Sequence, residues 1–197
     1  MSLSAIAIVG AGPQGLSIAE AVAEADLPVL VVCTTGAREE LAARRIDRTL
    51  AMRVDVGDLS RREAEAIRAR VTFSRELADA EGCDLVIEST VGDPRMRRAI
   101  LATVESRISR GAVLASNSPA EELPALAEVL RRTDQFIGLH FAHPASHTPL
   151  VEVLPLPETA PGAVFACETL VRWMNKQPVE RFVGHVAPVL RSIRAAG

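Results

Sequence analysis

The sequence predicts an α/β fold in which helices cover both faces of a doubly wound, mainly parallel sheet, and three observations support this prediction. Short apolar runs such as residues 5–9 have the composition of strands that are buried on both faces. Segments with apolar residues at helical spacing alternate with these runs. A Gly-rich segment joins the first strand to the first helix. Alternation of this kind builds a parallel sheet with crossover helices.

The predicted elements follow one another without a long linker. Strand 5–9 leads into a helix over 14–25 and a second strand over 29–33. A helical arm, residues 37–70, is inserted after the second strand as two helices, and Ser60 with Glu63 has the pattern of a capping box at the start of the second helix. The remaining predicted strands are 84–88, 112–116, 136–140, 150–154 and 179–183, and the remaining predicted helices are 94–106, 121–131 and 163–175.

The composition is that of one globular domain, because the 197 residues are 48% hydrophobic and 24% charged with a net charge of −3. The first apolar run is too short for a signal sequence or a membrane span. Three widely spaced cysteines match neither a disulfide framework nor a zinc cluster, so we expect a reducing, cytoplasmic environment. Arginines concentrate in residues 38–53 and 95–98. Such clusters suit a phosphorylated small molecule or simply solvated helix faces, and nucleic acid is not expected.

The segment after the first strand has the spacing of a phosphate loop. It consists of Gly10, Ala11, Gly12, Pro13, Gln14 and Gly15. Because it lies between a buried strand and a helix, it matches the loop of Rossmann-type domains. Gly10 would permit the tight turn, Gly12 would let a pyrophosphate approach the backbone, and Gly15 would let the helix pack on the sheet. We therefore expect a dinucleotide-binding domain over 1–185, a short tail over 186–197 and no separate substrate domain.

Cys33 ends the second predicted strand, where a domain specific for NAD carries Asp or Glu to bind the ribose 2′-hydroxyl and to repel a 2′-phosphate. Thr34, Thr35 and Arg38 follow it, and two hydroxyls with a guanidinium would suit a 2′-phosphate. The same threonines would also serve as a simple turn and helix cap. The expected cofactor is NAD or NADP, and the missing carboxylate leaves NADP open as a hypothesis.

Three of the four histidines lie in residues 138–147, directly after a predicted strand, at the end where ligands bind in such sheets. Glu152 lies within the next predicted strand, where a carboxylate in an apolar run needs a partner. A His140–Glu152 dyad would accept a hydroxyl proton while a hydride leaves for a nicotinamide. A purely structural pair is the alternative. A metal site is not expected, because Pro144 interrupts the histidines and no Cys or Asp joins them.

Five segments carry a resemblance to a known family: VGAGPQG, LSRREAEAIRARV, CDLVIEST, VLASNSP and, most specifically, IGLHFAHPASHTPLVEV. Together they are similar to the NAD-binding domain of the L-3-hydroxyacyl-CoA dehydrogenases, over nearly the whole chain. The resemblance implies an oxidoreductase that interconverts an L-3-hydroxyacyl thioester, carried by coenzyme A or a carrier protein, and its 3-oxoacyl form.

The resemblance also implies roles for individual residues. His140 would be the catalytic base and Glu152 its orienting carboxylate, while Glu88 and Asn117 would lie near the cofactor. The helical arm would contact the nucleotide part of coenzyme A. The residues implied on the substrate side are Ser116, Asn117 and His143, together with Arg44, Arg48 and Arg53 of the helical arm.

The sequence departs from the family at several positions. Pro119 stands where the family has a serine that contacts the substrate, and His143 stands where it has an asparagine. The helical C-terminal domain of the family has no counterpart, so we expect self-association through Trp173 and the tail 186–197, or a partner chain that covers this face. Two other functions stay open: a dehydrogenase of another small hydroxy acid, and a non-catalytic NAD(P)-binding partner or regulatory module.

Overall fold

A computed structural model describes residues 3–33, 39–145 and 148–183. The strands within these ranges are β1 (Ile6–Val9), β2 (Val29–Val32), β3 (Val71–Ser74), β4 (Leu85–Glu88), β5 (Val113–Ser116), β6 (Phe136–Phe141), β7 (Leu150–Pro155) and β8 (Gln177–Glu180). The helices are α1 (Pro13–Glu24), α2 (Glu39–Asp55), α3 (Arg61–Arg70), α4 (Pro94–Arg107), α5 (Leu123–Ala127) and α6 (Pro161–Trp173).

All eight strands form one sheet in the order β3-β2-β1-β4-β5-β6-β7-β8. The first six strands are parallel, β7 runs antiparallel to β6, and β8 is parallel to β7. The fold class predicted from the sequence is therefore confirmed. After β3 the chain crosses to the other half of the sheet, so the strand order reverses between the neighbouring strands β1 and β4. Ligands of such sheets bind in the crevice beyond the carboxyl ends of the strands at this switch point.

The hydrophobic core has two layers, one on each face of the sheet. In β1, Ile6 and Ile8 point into one layer and Ala7 and Val9 into the other, which is the alternation that a strand imposes. Residues of α1, α2, α3 and α6 complete the first layer, and residues of α4 and α5 complete the second. No helix in the described part of the chain is long and apolar enough to cross a membrane.

One strand was not predicted, and several element boundaries differ from the prediction. Strand β3 was not predicted, because the four residues Val71–Ser74 follow α3 without a breaker and are too few to show a period. Helix α5 is shorter than 121–131, and β8 begins two residues earlier than the predicted strand 179–183. The predicted tail 186–197 lies outside the described residues.

Candidate functional site

The Gly-rich loop follows β1 at the switch point of the sheet. Gly10 has φ +120°, and a Cβ at this position would lie 2.5 Å from the carbonyl oxygen of Ser89. A Cβ on Gly15 would lie only 2.0 Å from the carbonyl oxygen of Gly10. Gly12 is the N-cap of α1, no side chain caps the helix there, and Pro13 begins it. The start of α1 therefore offers main-chain amides and the positive end of a helix dipole to an anion.

Glu88 ends β4 beside this loop and is a buried carboxylate with three hydrogen-bond donors. Its Oε1 accepts bonds from the Thr90 amide, at 2.7 Å, and from the Thr90 hydroxyl. Its Oε2 accepts a 2.7 Å bond from the hydroxyl of Ser116. Ser118 lies 3.0 Å from the Ser116 hydroxyl and accepts a 2.8 Å bond from Arg97. A continuous polar network therefore fixes the ends of β4 and β5.

Asn117, the residue after β5, joins three neighbouring strands. Its main-chain amide donates to the carbonyl oxygen of Glu88 at 2.8 Å, and its side-chain amide donates to the Ser89 hydroxyl at 3.3 Å. The side-chain oxygen accepts a 2.9 Å bond from the main-chain amide of Phe141. Asn117 thus holds the ends of β4 and β6 at fixed positions on either side of β5.

His140 lies near the end of β6, partly exposed, and its Nδ1 is 3.2 Å from the main-chain oxygen of Asn117. A carbonyl oxygen only accepts hydrogen bonds, so Nδ1 carries the proton in this contact. In the neutral imidazole the other nitrogen, Nε2, then holds a free electron pair. Asn117 therefore fixes both the orientation and the tautomer of His140.

Glu152 lies directly across the β6–β7 pair from His140, as the register shows. Its carboxylate is buried and is bound by the guanidinium of Arg181, which follows β8. The described contacts of Glu152 include this ion pair and no hydrogen bond or salt bridge to His140. The two predicted dyad residues are therefore neighbours, but a third residue that the sequence did not indicate holds the carboxylate.

His143 and Gln14 connect the histidine segment to the Gly-rich loop. The Nδ1 of His143 is 2.6 Å from the side-chain oxygen of Gln14, and the side-chain nitrogen of Gln14 donates to the carbonyl oxygen of Phe141 at 2.8 Å. Gln14 belongs to the first turn of α1. The start of α1 and the end of β6 are thus joined by one side chain, which the loop motif alone does not reveal.

The other residues expected on the substrate side lie in different environments, and only some of them are accessible to a substrate. Ser116 is completely buried and donates to Glu88, which favours a supporting position beneath the site over direct contact with a substrate. Arg44 and Arg48 are exposed on α2. Arg53 instead binds Glu20, Glu24 and Asp58, and its side chain is largely buried by these contacts. The interaction with coenzyme A expected for Arg53 is not favoured, because its guanidinium is engaged within the protein.

A groove of about 590 Å³ lies between the two helices of the arm, α2 and α3. Its floor is apolar and its rim is charged. The lining residues are Asp47, Leu50, Ala51, Val54, Asp55, Arg61, Ala64, Glu65, Arg68 and Ala69. The groove contains none of the loop, His140 or Glu152, so the residues with candidate chemistry lie at the strand ends and not in this cavity.

Cys33 lies directly after β2, buried, and burial raises the pKa of its thiol. Thr34, Thr35 and Arg38, the other residues expected to select the cofactor, lie outside the described residues, as does His147. In the part of the chain that is described, no group of three or more His, Cys, Asp or Glu side chains is placed to hold a metal ion.

Comparison with known proteins identifies the family. The NAD-binding domain of 3-hydroxyacyl-CoA dehydrogenases matches residues 5–182. The alpha subunit of the fatty acid oxidation complex of Pseudomonas entomophila is 33% identical over 175 residues, which are 88% of this chain and 24% of that protein. The (S)-3-hydroxybutyryl-CoA dehydrogenase of Ralstonia eutropha superposes with a TM-score of 0.90 at 27% identity, covering 98% of this chain and 68% of that one.

A second solved structure, the 3-hydroxybutyryl-CoA dehydrogenase of Escherichia coli, gives a TM-score of 0.87 at 26% identity and covers 93% of this chain and 39% of that one. The chain thus spans about a quarter of the length of the curated relatives it matches. The family match over residues 5–182 agrees with the mainly parallel sheet and the Gly-rich loop of the structure, because both are features of an NAD-binding domain. The chain belongs to the family of 3-hydroxyacyl-CoA dehydrogenase NAD-binding domains.

Proposed function

We propose that this chain is an NAD(P)-dependent oxidoreductase that interconverts a 3-hydroxyacyl thioester, of coenzyme A or a carrier protein, and its 3-oxoacyl form. One observation carries the proposal. His140 lies near the carboxyl end of β6, next to Phe141, whose carbonyl oxygen accepts a bond from Gln14 of the Gly-rich loop, and its Nδ1 proton is held by the main-chain oxygen of Asn117. This geometry leaves Nε2 available as a proton acceptor at the end of the sheet where ligands bind.

The residues at the switch point fit a dinucleotide. A Cβ at Gly12 would meet only the Val91 side chain, at 3.7 Å, so the space above this backbone is open. The first amides of α1 are not capped by a side chain and would bind the pyrophosphate. Glu88 and Asn117 lie beyond the loop, on the side of the sheet that leads to His140. When bound, the nicotinamide supplies or accepts the hydride of the reaction.

His140 would take the hydroxyl proton of the substrate at Nε2 when the 3-hydroxyacyl form is oxidised, and would return it in the reverse direction. Its ring becomes an imidazolium in the first case, and the Asn117 carbonyl stabilises this cation because Nδ1 already donates to it. Glu152, one strand away, adds a negative charge that Arg181 balances. Because this ion pair offsets the charge of Glu152, the Asn117 carbonyl and not Glu152 is the group that orients His140.

His143 and Arg48 are the remaining substrate candidates of this proposal. His143 is exposed at the mouth of the site, with its Nδ1 held by Gln14, so its Nε2 is free to contact the thioester part of a substrate. Arg48 is exposed on α2 and would pair with a phosphate of coenzyme A. Both contacts are to the substrate and not to the reacting hydrogen atoms.

The ion pair between Arg181 and Glu152 favours a second candidate, a module that binds NAD(P) without turnover. A carboxylate held by an arginine is not free to turn toward an imidazole, and the family's orienting contact is then lost. A dehydrogenase of another small hydroxy acid is a variant of the first proposal, and a panel of hydroxy acids would separate the two.

The test begins with a fluorescence titration of the protein with NADH and with NADPH, followed by addition of an acetoacetyl thioester. Oxidation of the reduced cofactor supports the proposal. His140→Gln should lower turnover by about 100-fold or more, since a general base contributes on that order, while cofactor binding stays unchanged. Cofactor binding without oxidation by the unmodified protein would favour the non-catalytic module instead.

We also propose that the exposed face of α6 mediates self-association or binding of a partner chain. Phe165 and Trp173 are both exposed on this helix, and exposed aromatic groups of this size often mark interaction surfaces. Trp173→Lys should shift a sedimentation equilibrium toward the monomer, and a protein that is monomeric at high concentration would contradict self-association through this face. The three buried free thiols of the described residues fit a cytoplasmic location.

A further inference from the structure

The strand that the sequence did not predict, β3, places Arg75 at the carboxyl end of the sheet, next to the end of β2. Arg75 directly follows β3, and β3 lies beside β2 in the sheet. The main-chain amide of Cys33 donates to the carbonyl oxygen of Ser74 at 2.8 Å, so the pairing of the two strands continues to their carboxyl ends. Arg75 and Cys33 are therefore neighbours at the edge of the sheet where the Gly-rich loop lies.

Among the described residues, Arg75 has one loosely bound partner. Its Nε is 3.7 Å from an oxygen of Glu39, in the first turn of α2, which is longer than a hydrogen bond. The side chain of Arg75 is 62% exposed. Its five N–H donors are thus largely turned to solvent, beside a strand end that carries no carboxylate.

The charges at this edge act on Cys33. Burial is the main cause that raises the pKa of the Cys33 thiol, Glu39 raises it further, and Arg75 lowers it. The thiol is therefore neutral at pH 7. Glu39 and Arg75 are the described charged side chains that act on the Cys33 thiol. The carboxylate of Asp79 is also near this strand end and is held by the Ser74 hydroxyl.

We infer that Arg75 selects the cofactor by binding the 2′-phosphate of NADP, with Glu39 as its partner when the site is empty. In doubly wound sheets the adenosine ribose lies beyond the end of the second strand, and an arginine nearby accommodates the 2′-phosphate. A phosphate carries more negative charge than a carboxylate and accepts paired N–H bonds from a guanidinium, so it would displace Glu39. The inference rests on the proposed function, because it names the cofactor for that site.

The main alternative is that Glu39 binds the ribose of NAD. A free carboxylate at this edge would accept a bond from the ribose 2′-hydroxyl and would repel a 2′-phosphate, which is the arrangement of NAD-specific domains. In the structure, however, Glu39 lies against the guanidinium of Arg75. Removal of Glu39 should therefore strengthen binding of NADPH, because the competitor for Arg75 and the repulsion are both lost.

The experiment measures dissociation constants, by calorimetry, for NADPH, NADH, adenosine 2′,5′-bisphosphate and 5′-AMP. The proteins compared are the unmodified chain, Arg75→Ala, Glu39→Gln and the matched control Arg62→Ala, which removes an exposed arginine of α3. Exposed ion pairs contribute little to stability, so all variants should fold, and thermal unfolding checks this.

We expect the unmodified protein to prefer NADPH over NADH and the bisphosphate over 5′-AMP. Arg75→Ala should weaken NADPH and bisphosphate binding about 10- to 100-fold, the usual value of a charge-assisted pair, and should leave NADH and 5′-AMP unchanged. Arg62→Ala should change neither. Tighter NADPH binding by Glu39→Gln would further support the inference.

Two results would overturn it in different ways. If NADH binds more tightly than NADPH and Glu39→Gln weakens NADH, then Glu39 holds the ribose; the inference fails while the proposed dinucleotide site stands. If neither dinucleotide binds, the proposed function fails together with the inference.

Discussion

Arg181 binds the carboxylate of Glu152 on the strand directly opposite His140. The pair forms because β7 reverses direction after β6 while β8 runs parallel to β7, so residues 29 positions apart meet at one end of the sheet. Glu152 is buried and Arg181 is mostly so. Removal of its partner would leave this buried carboxylate with an uncompensated charge, which destabilises the folded state.

The first prediction follows from this burial. Arg181→Met should lower the free energy of unfolding by about 2 kcal/mol, because it leaves an unpaired charge in a partly screened position. The double variant Arg181→Met with Glu152→Gln should recover part of this loss, since it removes both charges. Urea unfolding measures both values. An unchanged midpoint for the single variant would show that the pair does not stabilise the fold.

The second prediction separates two glycines of the loop. Gly15→Ala places a methyl group 2.0 Å from the carbonyl oxygen of Gly10, so α1 must move, at a cost of about 2 kcal/mol of stability. Gly12→Ala meets only Val91, at 3.7 Å, and should leave stability unchanged while weakening dinucleotide binding at least about tenfold. Calorimetric titration and thermal unfolding of both variants provide the comparison. Equal behaviour of the two would contradict the assignment of the open space to a pyrophosphate.

The third prediction distinguishes two arginines of α2. Burial alone would lower the pKa of the Arg53 guanidinium, but hydrogen bonds to Glu24, Glu20 and Asp58 outweigh it and raise that pKa above its ordinary range. Arg53→Ala should therefore destabilise the protein by about 3 kcal/mol, because it breaks the ion pairs to Glu20, Glu24 and Asp58 together.

Arg48→Ala is the matched control for Arg53, since Arg48 is exposed on the same helix. It should leave the unfolding free energy within about 0.5 kcal/mol of the original value. If Arg48 binds coenzyme A, this variant raises KM for a CoA thioester and leaves KM for a short pantetheine thioester unchanged. A loss of stability for Arg48→Ala equal to that of Arg53→Ala would refute the distinction.

The fourth prediction concerns acid stability. Burial tends to raise the pKa of Asp84, but bonds from the Ser4 amide, the Ser4 hydroxyl and the Ala5 amide outweigh it, and the pKa is lowered from 3.8. A carboxylate whose pKa is lower in the folded state than in the unfolded state stabilises the protein at pH values above its unfolded-state pKa. This stabilisation is lost as the pH falls through its folded-state pKa.

Asp84→Asn tests this sign. The unmodified protein should be more stable than the variant at pH 7, and the difference should shrink as the pH falls below about 4. Urea unfolding at pH 7, 5 and 3 measures the difference. A difference that is constant over this range would mean that ionisation of Asp84 does not contribute.

The sequence predicted most strands and the Gly-rich loop because each is a local pattern. A buried strand, a turn and an amphipathic helix can each be recognised within a dozen residues. The loop can be recognised by its glycines, because a Cβ at Gly10 or Gly15 would clash with the backbone. Strand β3 was missed because its four residues are stabilised by pairing with β2 and not by their own pattern. Its position became visible only once the sheet order was known.

The candidate site was predicted in part for the same reason. His140 and Glu152 are twelve residues apart on consecutive strands, so their proximity follows from one reversal of the chain. Arg181 and Arg75 reach the site from edge strands, and their partners lie 29 and 36 residues away along the chain. No local pattern encodes such contacts, since they depend on the order of strands in the sheet.

The two bonds of Gln14 have a consequence for how the protein would handle two ligands. One side chain links the first turn of α1 to both Phe141 and His143. A molecule that shifts α1 must therefore strain or release the segment around His140, and a molecule that engages His143 must act back on α1. Thermodynamic reciprocity requires these two effects to be equal in free energy. The order in which two ligands arrive would then change the path of assembly but not the total affinity of the pair.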